Sequence, residues 1–176
     1  MLRNLAGFLA AAACLLALPA AAQKLSSYAS FGACGNPNAQ FDVKTEPALR
    51  SYTPDPGKAL VYFIEKDAGA FFAGHTRIGI DGHWAGATEG NSYFALSLDP
   101  GVHHICADTH MGKLWTANEE TALAHFTAQP GAVYYFETKN LALENQTIDV
   151  SLIPLDSDEG ASLAGSYSVS IFHRRK

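Results

Sequence analysis

The seven histidines and three cysteines of this 176-residue sequence have the side chains best suited to metal binding or nucleophilic chemistry. A structural zinc site needs about four converging protein ligands, and a catalytic site about three. His103 and His104 are adjacent on a predicted strand, where successive side chains point to opposite faces, so they cannot chelate one ion together. We predict that His103 is a core histidine hydrogen-bonded to backbone or a hydroxyl group, and that His104 is exposed. The histidines are His75, His83, His103, His104, His110, His125 and His173.

Hydrolytic chemistry by Ser, His and Asp, or by Cys and His, is conceivable because every residue type is present. The sequence nevertheless has no Gly-x-Ser-x-Gly, no Gly-rich phosphate loop and no His-Glu-x-x-His pattern. We therefore predict no catalytic residues, no bound metal and no cofactor. The alternative is a metal-dependent hydrolase that uses His75, His83 or His104.

Cys34 and Cys106 form an even pair downstream of the apolar N-terminus. In an oxidising compartment such a pair indicates a disulfide. Closing so long a loop would stabilise the fold by about 4 kcal/mol. Two free thiols, or a nucleophilic cysteine, are the alternatives.

Residues 1–22 have the pattern of a secretory signal peptide. Arg3 supplies a positive start, residues 5–18 form a short apolar run, and an Ala-x-Ala site follows. We expect cleavage between Ala22 and Gln23, which predicts an exported, bacterial-type protein that is secreted or periplasmic.

Cys14 offers a second route, because it follows the small-residue run Ala11-Ala12-Ala13 and could be lipidated and anchored to the envelope. The formal net charge is −5, and loss of the leader removes only Arg3 among the charged residues. This acidic balance gives no electrostatic reason to bind nucleic acid. The expected partner is an envelope protein or glycan, with membrane contact only through a lipidated Cys14.

Two regions follow the leader. Residues 23–57 are rich in Ser, Asn, Pro and Gly, which predicts a loop-rich arm with one short strand near residues 41–44. Residues 58–176 are predicted to form a β-sandwich domain. It begins with the apolar run Ala59–Ile64, typical of a central strand buried on both faces.

The clearest local pattern is the Asp-Gly dipeptide at 81–82, which favours a two-residue type I′ turn. Such a hairpin pairs Ile80 with His83 and Gly79 with Trp84. The indole of Trp84 would then cover the glycine opposite it.

A further reversal is predicted at residues 99–101, where strand register decides which side chains are buried. A four-residue loop would pair Leu98 with His103 and bury Ile105. A three-residue loop would instead bury Cys106. We expect the first register because it buries Ile105.

A second hairpin is predicted from Thr121–Ala128 and Ala132–Thr138, joined by a Gln-Pro-Gly turn. Strands recur about every 8–12 residues, and no stretch of helical length has an apolar stripe. The predicted fold class is all-β, an antiparallel β-sandwich of about 7–9 strands with one short C-terminal helix.

That helix is predicted over Ala161–Ala164 and the residues just before it. Asp156 is the expected N-cap, and Glu159 three residues later is typical of a capping box. Gly165 is expected at the C′ position, just after the helix.

Aromatic and polar side chains near turns are the remaining functional pattern. His83, Trp84, Tyr93 and Trp115 could stack on sugars or anchor a protein partner. The structural explanation is that the two tryptophans merely cover a glycine and close a loop, and we favour it.

Several motifs follow one another along residues 57–165. They are Gly57-Lys58-Ala59-Leu60-Val61-Tyr62-Phe63-Ile64, Thr76-Arg77-Ile78-Gly79-Ile80-Asp81-Gly82, Gly90-Asn91-Ser92-Tyr93-Phe94, Pro100-Gly101-Val102-His103-His104-Ile105-Cys106-Ala107, Gly131-Ala132-Val133-Tyr134-Tyr135-Phe136 and Asp158-Glu159-Gly160. Their order resembles the family of domain of unknown function 2846 (DUF2846), which is similar to PEGA-type β modules in its Ile-Asp-Gly and Pro-Gly-x-His turns. The resemblance implies an exported or lipid-anchored β-sandwich of unknown role and supplies no catalytic residues.

Overall fold

The computed structural model describes residues 34–47, 52–66, 74–110, 118–119, 121–142 and 147–175. The predictions for the signal peptide with cleavage between Ala22 and Gln23, for Cys14 and for Trp115 lie outside these residues. In chain order the elements are β1 (Phe41–Glu46), β2 (Ala59–Glu65), β3 (His75–Ile80), β4 (His83–Thr88), β5 (Ser92–Leu98), β6 (Gly101–His110), β7 (Asn118–Glu119), β8 (Thr121–Ala128), β9 (Val133–Ala142), β10 (Thr147–Leu155), α1 (Ser157–Ser166) and β11 (Ser168–Arg174).

The strands form two sheets that pack face to face, which confirms the predicted all-β sandwich. The described residues contain eleven strands rather than the expected 7–9, because the two-residue β7 and the C-terminal β11 also join the larger sheet. The larger sheet has the order β1-β11-β5-β2-β9-β10-β7, and β7 contributes only two residues. The smaller sheet has the order β4-β3-β6-β8. The short C-terminal helix is α1, and the strand expected in the arm is β1.

The larger sheet is mixed, so the prediction of a wholly antiparallel sandwich is wrong. Strand β2 is antiparallel to β5 but parallel to β9, and β11 is parallel to β5. Except for β9 and β10, neighbours in this sheet are separated in the chain by other strands, so they can run in either direction. Alternation of apolar residues carries no information on strand direction.

Two predicted hairpins are instead crossings between the sheets. Strand β5 lies in the larger sheet and β6 in the smaller one, so Leu98 does not pair with His103 and neither predicted register applies. Strands β8 and β9 are separated in the same way. Ile105 is buried as expected, because the inner faces of both sheets share one core.

The Asp-Gly hairpin is confirmed. Ile80 pairs with His83 and Gly79 with Trp84. The turn residues at 81–82 have φ values of 50° and 80°, as a type I′ turn requires.

Strand β2 is central, and all seven of its residues are buried, as predicted. Val61 and Phe63 face the core between the sheets, while Leu60, Tyr62 and Ile64 face a second core under α1. The first core also contains Ile78, Ile80, Phe94, Ile105, Ala107, Phe136, Val150 and Leu152.

Helix α1 begins as predicted but ends later. The carboxylate of Asp156 accepts from the backbone N–H groups of residues 158 and 159. Gly165 lies in the last turn, and the chain leaves the helix at Tyr167, whose N–H donates to the Leu163 carbonyl. Leu163, Ala164 and Tyr167 pack against the second core, which extends the helix past the glycine.

Candidate functional site

A disulfide joins the arm to the smaller sheet. The Sγ atoms of Cys34 and Cys106 are 2.00 Å apart, and both residues are buried, which confirms the predicted pair. A side chain at Gly79 would come within 2.6 Å of the Cys34 carbonyl oxygen and 2.9 Å of the Cys106 Sγ. The prediction that Trp84 covers Gly79 is therefore wrong, because the arm lies on β3 and β6 and occupies that space.

Trp84 holds the arm instead. Its indole N–H donates to the Asn36 carbonyl at 2.7 Å. The guanidinium of Arg77 lies 4.6 Å from the ring centroid and donates to the Ala39 carbonyl at 2.7 Å. Arg77 also forms a largely buried ion pair with Asp108. These contacts clamp residues 34–40 against the sheet.

The structure does not bring the predicted aromatic surface together. Trp84 is on the outer face of the smaller sheet, whereas Tyr93 is only 2% exposed and lies on the outer face of the larger sheet. These two faces are on opposite sides of the sandwich. His83 is exposed at its turn, with Nδ1 3.1 Å from the Asp81 carbonyl oxygen.

Tyr93 belongs to a cluster of four tyrosines. The ring centroid of Tyr62 is 4.9 Å from that of Tyr135, 5.6 Å from that of Tyr93 and 6.1 Å from that of Tyr52. Burial, followed by the proximity of the other three phenols, raises the pKa of Tyr62 to about 12. Because α1 packs against these rings, the cluster attaches the helix to the sheet.

The histidines of the alternative enzyme do not converge. His75 begins β3, while His83 pairs with Ile80 at the other end of that strand, about 17 Å away at the usual rise per residue. His104 is exposed, as predicted, and its ring centroid is 6.1 Å from that of His125. Among the described residues, no three His, Cys, Asp or Glu side chains are grouped so that they could hold a metal ion.

His103 lies between the ends of the two sheets. Its Nδ1 is 2.6 Å from the Asp81 carboxylate and its Nε2 is 2.8 Å from the Asp99 carbonyl oxygen. The expected backbone contact is present, but the prediction of a core histidine is wrong, because His103 is only partly buried and also contacts a carboxylate. Burial lowers the pKa of His103, and the contacts with Asp99 and Asp81 outweigh burial and raise that pKa above 6.5.

A carboxylate is buried at the opposite end of the core, where β2 ends. Glu65 is 0% exposed; it accepts from the hydroxyl of Thr88 at 2.7 Å and from the amide of Asn140 at 3.0 Å. The Asn140 amide also donates to Thr76 Oγ1 at 2.8 Å, and its oxygen accepts from Thr109 at 2.7 Å. These side chains come from both sheets, so the network joins the two halves of the sandwich.

Burial raises the pKa of Glu65 to about 7, against hydrogen bonds from Thr88, Thr76 and Asn140 that lower it. A carboxyl group with a pKa near neutrality suits general acid–base chemistry. A substrate must reach such a group, and Glu65 has no exposed surface. This arrangement supports a structural role for the carboxylate.

A groove of about 270 Å³ lies beside the start of β1, close to this network. His75 and Glu89 line it and directly adjoin Thr76 and Thr88 in sequence. Phe41 and Val43 supply apolar surface. Asp42, Arg175 and Gln40 complete the lining.

The two carboxylates of the groove differ in their contacts. Asp42 accepts from Nε of Arg175 at 2.7 Å, and this hydrogen bond lowers the pKa of Asp42. The Glu89 carboxylate has no hydrogen bond or ion pair with any described residue. Burial raises the pKa of Glu89. The groove therefore combines a mainly polar lining and a smaller apolar surface with one partly buried carboxylate that no described residue contacts.

Apart from His75, which lines the groove, none of the residues of the network or the groove was identified from the sequence as a candidate functional residue. The sequence does contain a usable pattern for two of these residues. Glu65 directly continues the apolar run of β2, and Asn140 lies in β9, four residues after Phe136. A polar residue that continues a strand buried on both faces must have polar partners. Asp42 and Glu89 have no comparable pattern, because the groove is formed by segments far apart in the chain.

No protein-family model matches this chain, and neither does any curated protein. The resemblance of residues 57–165 to DUF2846 therefore stays a prediction. Within the part of the chain that the structure describes, no helix combines the length and the apolar character needed to cross a bilayer.

Proposed function

We propose that this protein is an exported, non-catalytic β-sandwich module of the cell envelope that binds a partner or serves an accessory role. The observation that carries the proposal is the disulfide between Cys34 and Cys106, which fixes the arm to the domain. Structural disulfides belong to oxidising compartments. The signal-peptide pattern of residues 1–22 is the matching route of delivery.

A binding role is supported by the chemistry of the groove. Its lining combines apolar, amide and charged side chains. The described residues that line the groove include no Ser, Cys or Lys that could act as a nucleophile. The carboxyl group of Glu65, whose pKa is about 7, is shielded from solvent. An envelope protein or glycan is the proposed partner, and a lipid anchor at Cys14 is the proposed alternative to a free periplasmic or extracellular form.

Export is tested by expressing the full chain in a bacterium with a C-terminal tag, then fractionating the cells and measuring the intact mass. We expect a chain that starts at Gln23 and lacks the mass of two hydrogen atoms because of the disulfide. A lipidated Cys14 would support the anchored form. A full-length cytosolic chain with free thiols would refute the proposal.

The binding role is tested by cross-linking the mature protein in intact envelopes and purifying it under denaturing conditions. The expected result is a specific protein, glycan or peptidoglycan fragment that is absent from an unrelated tagged periplasmic domain. Recovery of no partner of any of these classes would contradict a binding role.

A further inference from the structure

We infer that the groove beside β1 binds an alkylammonium group, a protonated primary amine on a short aliphatic chain, with Glu89 as its counter-ion. This inference deepens the proposed binding role and rests on it. It is carried by the position and contacts of Glu89 together with the volume and lining of the groove.

Glu89 is the proposed counter-ion, and its contacts leave its carboxylate available to a ligand. Its backbone is held by Ser92, whose hydroxyl accepts from the Glu89 N–H at 3.0 Å and donates to the Glu89 carbonyl. Its partly buried carboxylate faces no donor or cation from the described residues. A desolvated carboxylate favours a cation beside it, because the cation replaces the lost hydration.

The net charge of the groove lining is negative. Arg175 is already engaged, since it donates to Asp42 and to the side-chain oxygen of Gln40. With Asp42 balanced by Arg175, the remaining fixed charge is that of Glu89. His75 is the other titratable group in the lining.

Size and apolar surface define the rest of the ligand. A volume of about 270 Å³ is below the usual range for drug-sized ligands, so the groove fits a small group or one side chain. Val43 is the partly exposed apolar side chain of the lining and offers contact for methylene groups, whereas Phe41 is almost completely buried. A divalent metal does not fit, because no three ligand side chains are grouped among the described residues. A compact ammonium can pair with a single carboxylate as a point charge, and its remaining N–H groups can donate to water in the open, mainly polar groove.

The test uses the mature, disulfide-bonded protein and butylammonium as the probe at about pH 8, followed by amide chemical shifts in NMR. We expect saturable shifts around Val43 and Glu89. 1-Butanol and butyrate, which have the same chain length without the positive charge, are expected to bind at least tenfold more weakly. Guanidinium chloride at low concentration reports whether a planar cation competes.

Glu89→Gln removes the proposed counter-ion, and we expect it to weaken butylammonium binding about tenfold or more. Glu46→Gln is the matched control, because Glu46 is an exposed carboxylate at the end of β1 and its loss changes the net charge equally. Val43→Phe fills the groove while keeping Glu89, and should also abolish binding. Circular dichroism of each variant checks folding.

Equal weakening by Glu89→Gln and Glu46→Gln would overturn the inference, since it would mean that only overall charge matters. Equal binding of 1-butanol, tighter binding of guanidinium than of butylammonium, or no saturable shift, would overturn it too. None of these results would alter export or the recovery of an envelope partner, so failure of the inference is distinguishable from failure of the proposed function.

Discussion

Glu65 shows how a single residue links the electrostatics of this protein to its packing. An ionised carboxylate inside a sandwich is destabilising unless donors surround it. Thr88 and Asn140 donate to its two oxygens, one from each sheet. Burial still outweighs these bonds and raises the pKa of Glu65 to about 7.

Glu65→Gln should remove a defined part of the pH dependence of stability. The native pKa of about 7 lies above the ordinary value of 4.5, so the native state binds the proton more tightly than the unfolded chain. The contribution is fully present below pH 4.5 and is lost as pH rises to 7, a loss of about 3 kcal/mol.

The measurement is the free energy of unfolding in urea at pH values from 4.5 to 8. The amide can donate to the Thr88 hydroxyl and accept from Asn140, so the variant keeps the network. We expect the difference in free energy between Glu65→Gln and the native protein to grow in favour of the variant as pH rises to 7. Parallel curves would show that Glu65 does not titrate in this range.

Asp81→Asn should lower the pKa of His103. Burial of His103 disfavours its protonated form and lowers its pKa. In the native protein the contacts with the Asp99 carbonyl and the Asp81 carboxylate outweigh this effect and raise the pKa. Asparagine tolerates the positive φ of position 81, so the turn should persist. NMR titration of the His103 ring is the measurement, with exposed His173 as the internal control. An unchanged His103 pKa would contradict the assigned contact.

At the scale of elements, residues 34–40 of the arm and helix α1 each cover an outer face of the sandwich, whereas strand β1 of the arm belongs to the larger sheet. The arm is held on the smaller sheet by the disulfide and by Trp84 and Arg77. Helix α1 covers the larger sheet at Gly160, where a side chain would overlap Cβ and Cγ of Tyr135. Glycine is needed there for close approach rather than for an unusual φ.

Two glycines of α1 allow a matched test of this contact. Gly160→Ala should lower the free energy of unfolding by about 1–3 kcal/mol, because the Tyr135 ring must move. Gly165→Ala should raise it by about 0.5–1 kcal/mol, because nothing lies within 4 Å of its Cβ position and alanine favours helix. Urea unfolding of both variants is the measurement. Stabilisation by both substitutions would show that α1 does not pack closely at Gly160.

The whole molecule depends on two long-range ties between distant parts of the chain. The network around Glu65 joins the sheets through side chains up to 75 residues apart. The disulfide joins residues 72 positions apart and encloses β1 to β5 and half of β6 in one loop. Both ties limit how far one sheet can separate from the other.

Cys34→Ser combined with Cys106→Ser should lower the free energy of unfolding by about 4 kcal/mol, because the unfolded chain gains the freedom of a 72-residue loop. Urea unfolding of the mature protein with and without a reductant gives an independent value. The double variant should be insensitive to the reductant. A native protein that loses no stability on reduction would contradict this role of the disulfide.

The features that sequence analysis predicted correctly depend on neighbouring residues. The continuous apolar run Ala59–Ile64, the positive φ of the Asp-Gly turn and the Asp156 cap each arise within a few positions. The Cys34–Cys106 pair is an exception, and it was predictable because the other cysteine, Cys14, lies in the signal-peptide pattern.

Residue types and local spacing were sufficient to determine that this chain forms strands, where it turns and which cysteines pair. Only the tertiary structure decided that β5 and β6 lie in different sheets, that the arm rather than Trp84 covers Gly79, and that Glu65 meets Asn140. The physical reason is separation along the chain. Local preferences act through backbone torsion and adjacent side chains, whereas sheet partners and the lining of the groove depend on packing between segments tens of residues apart.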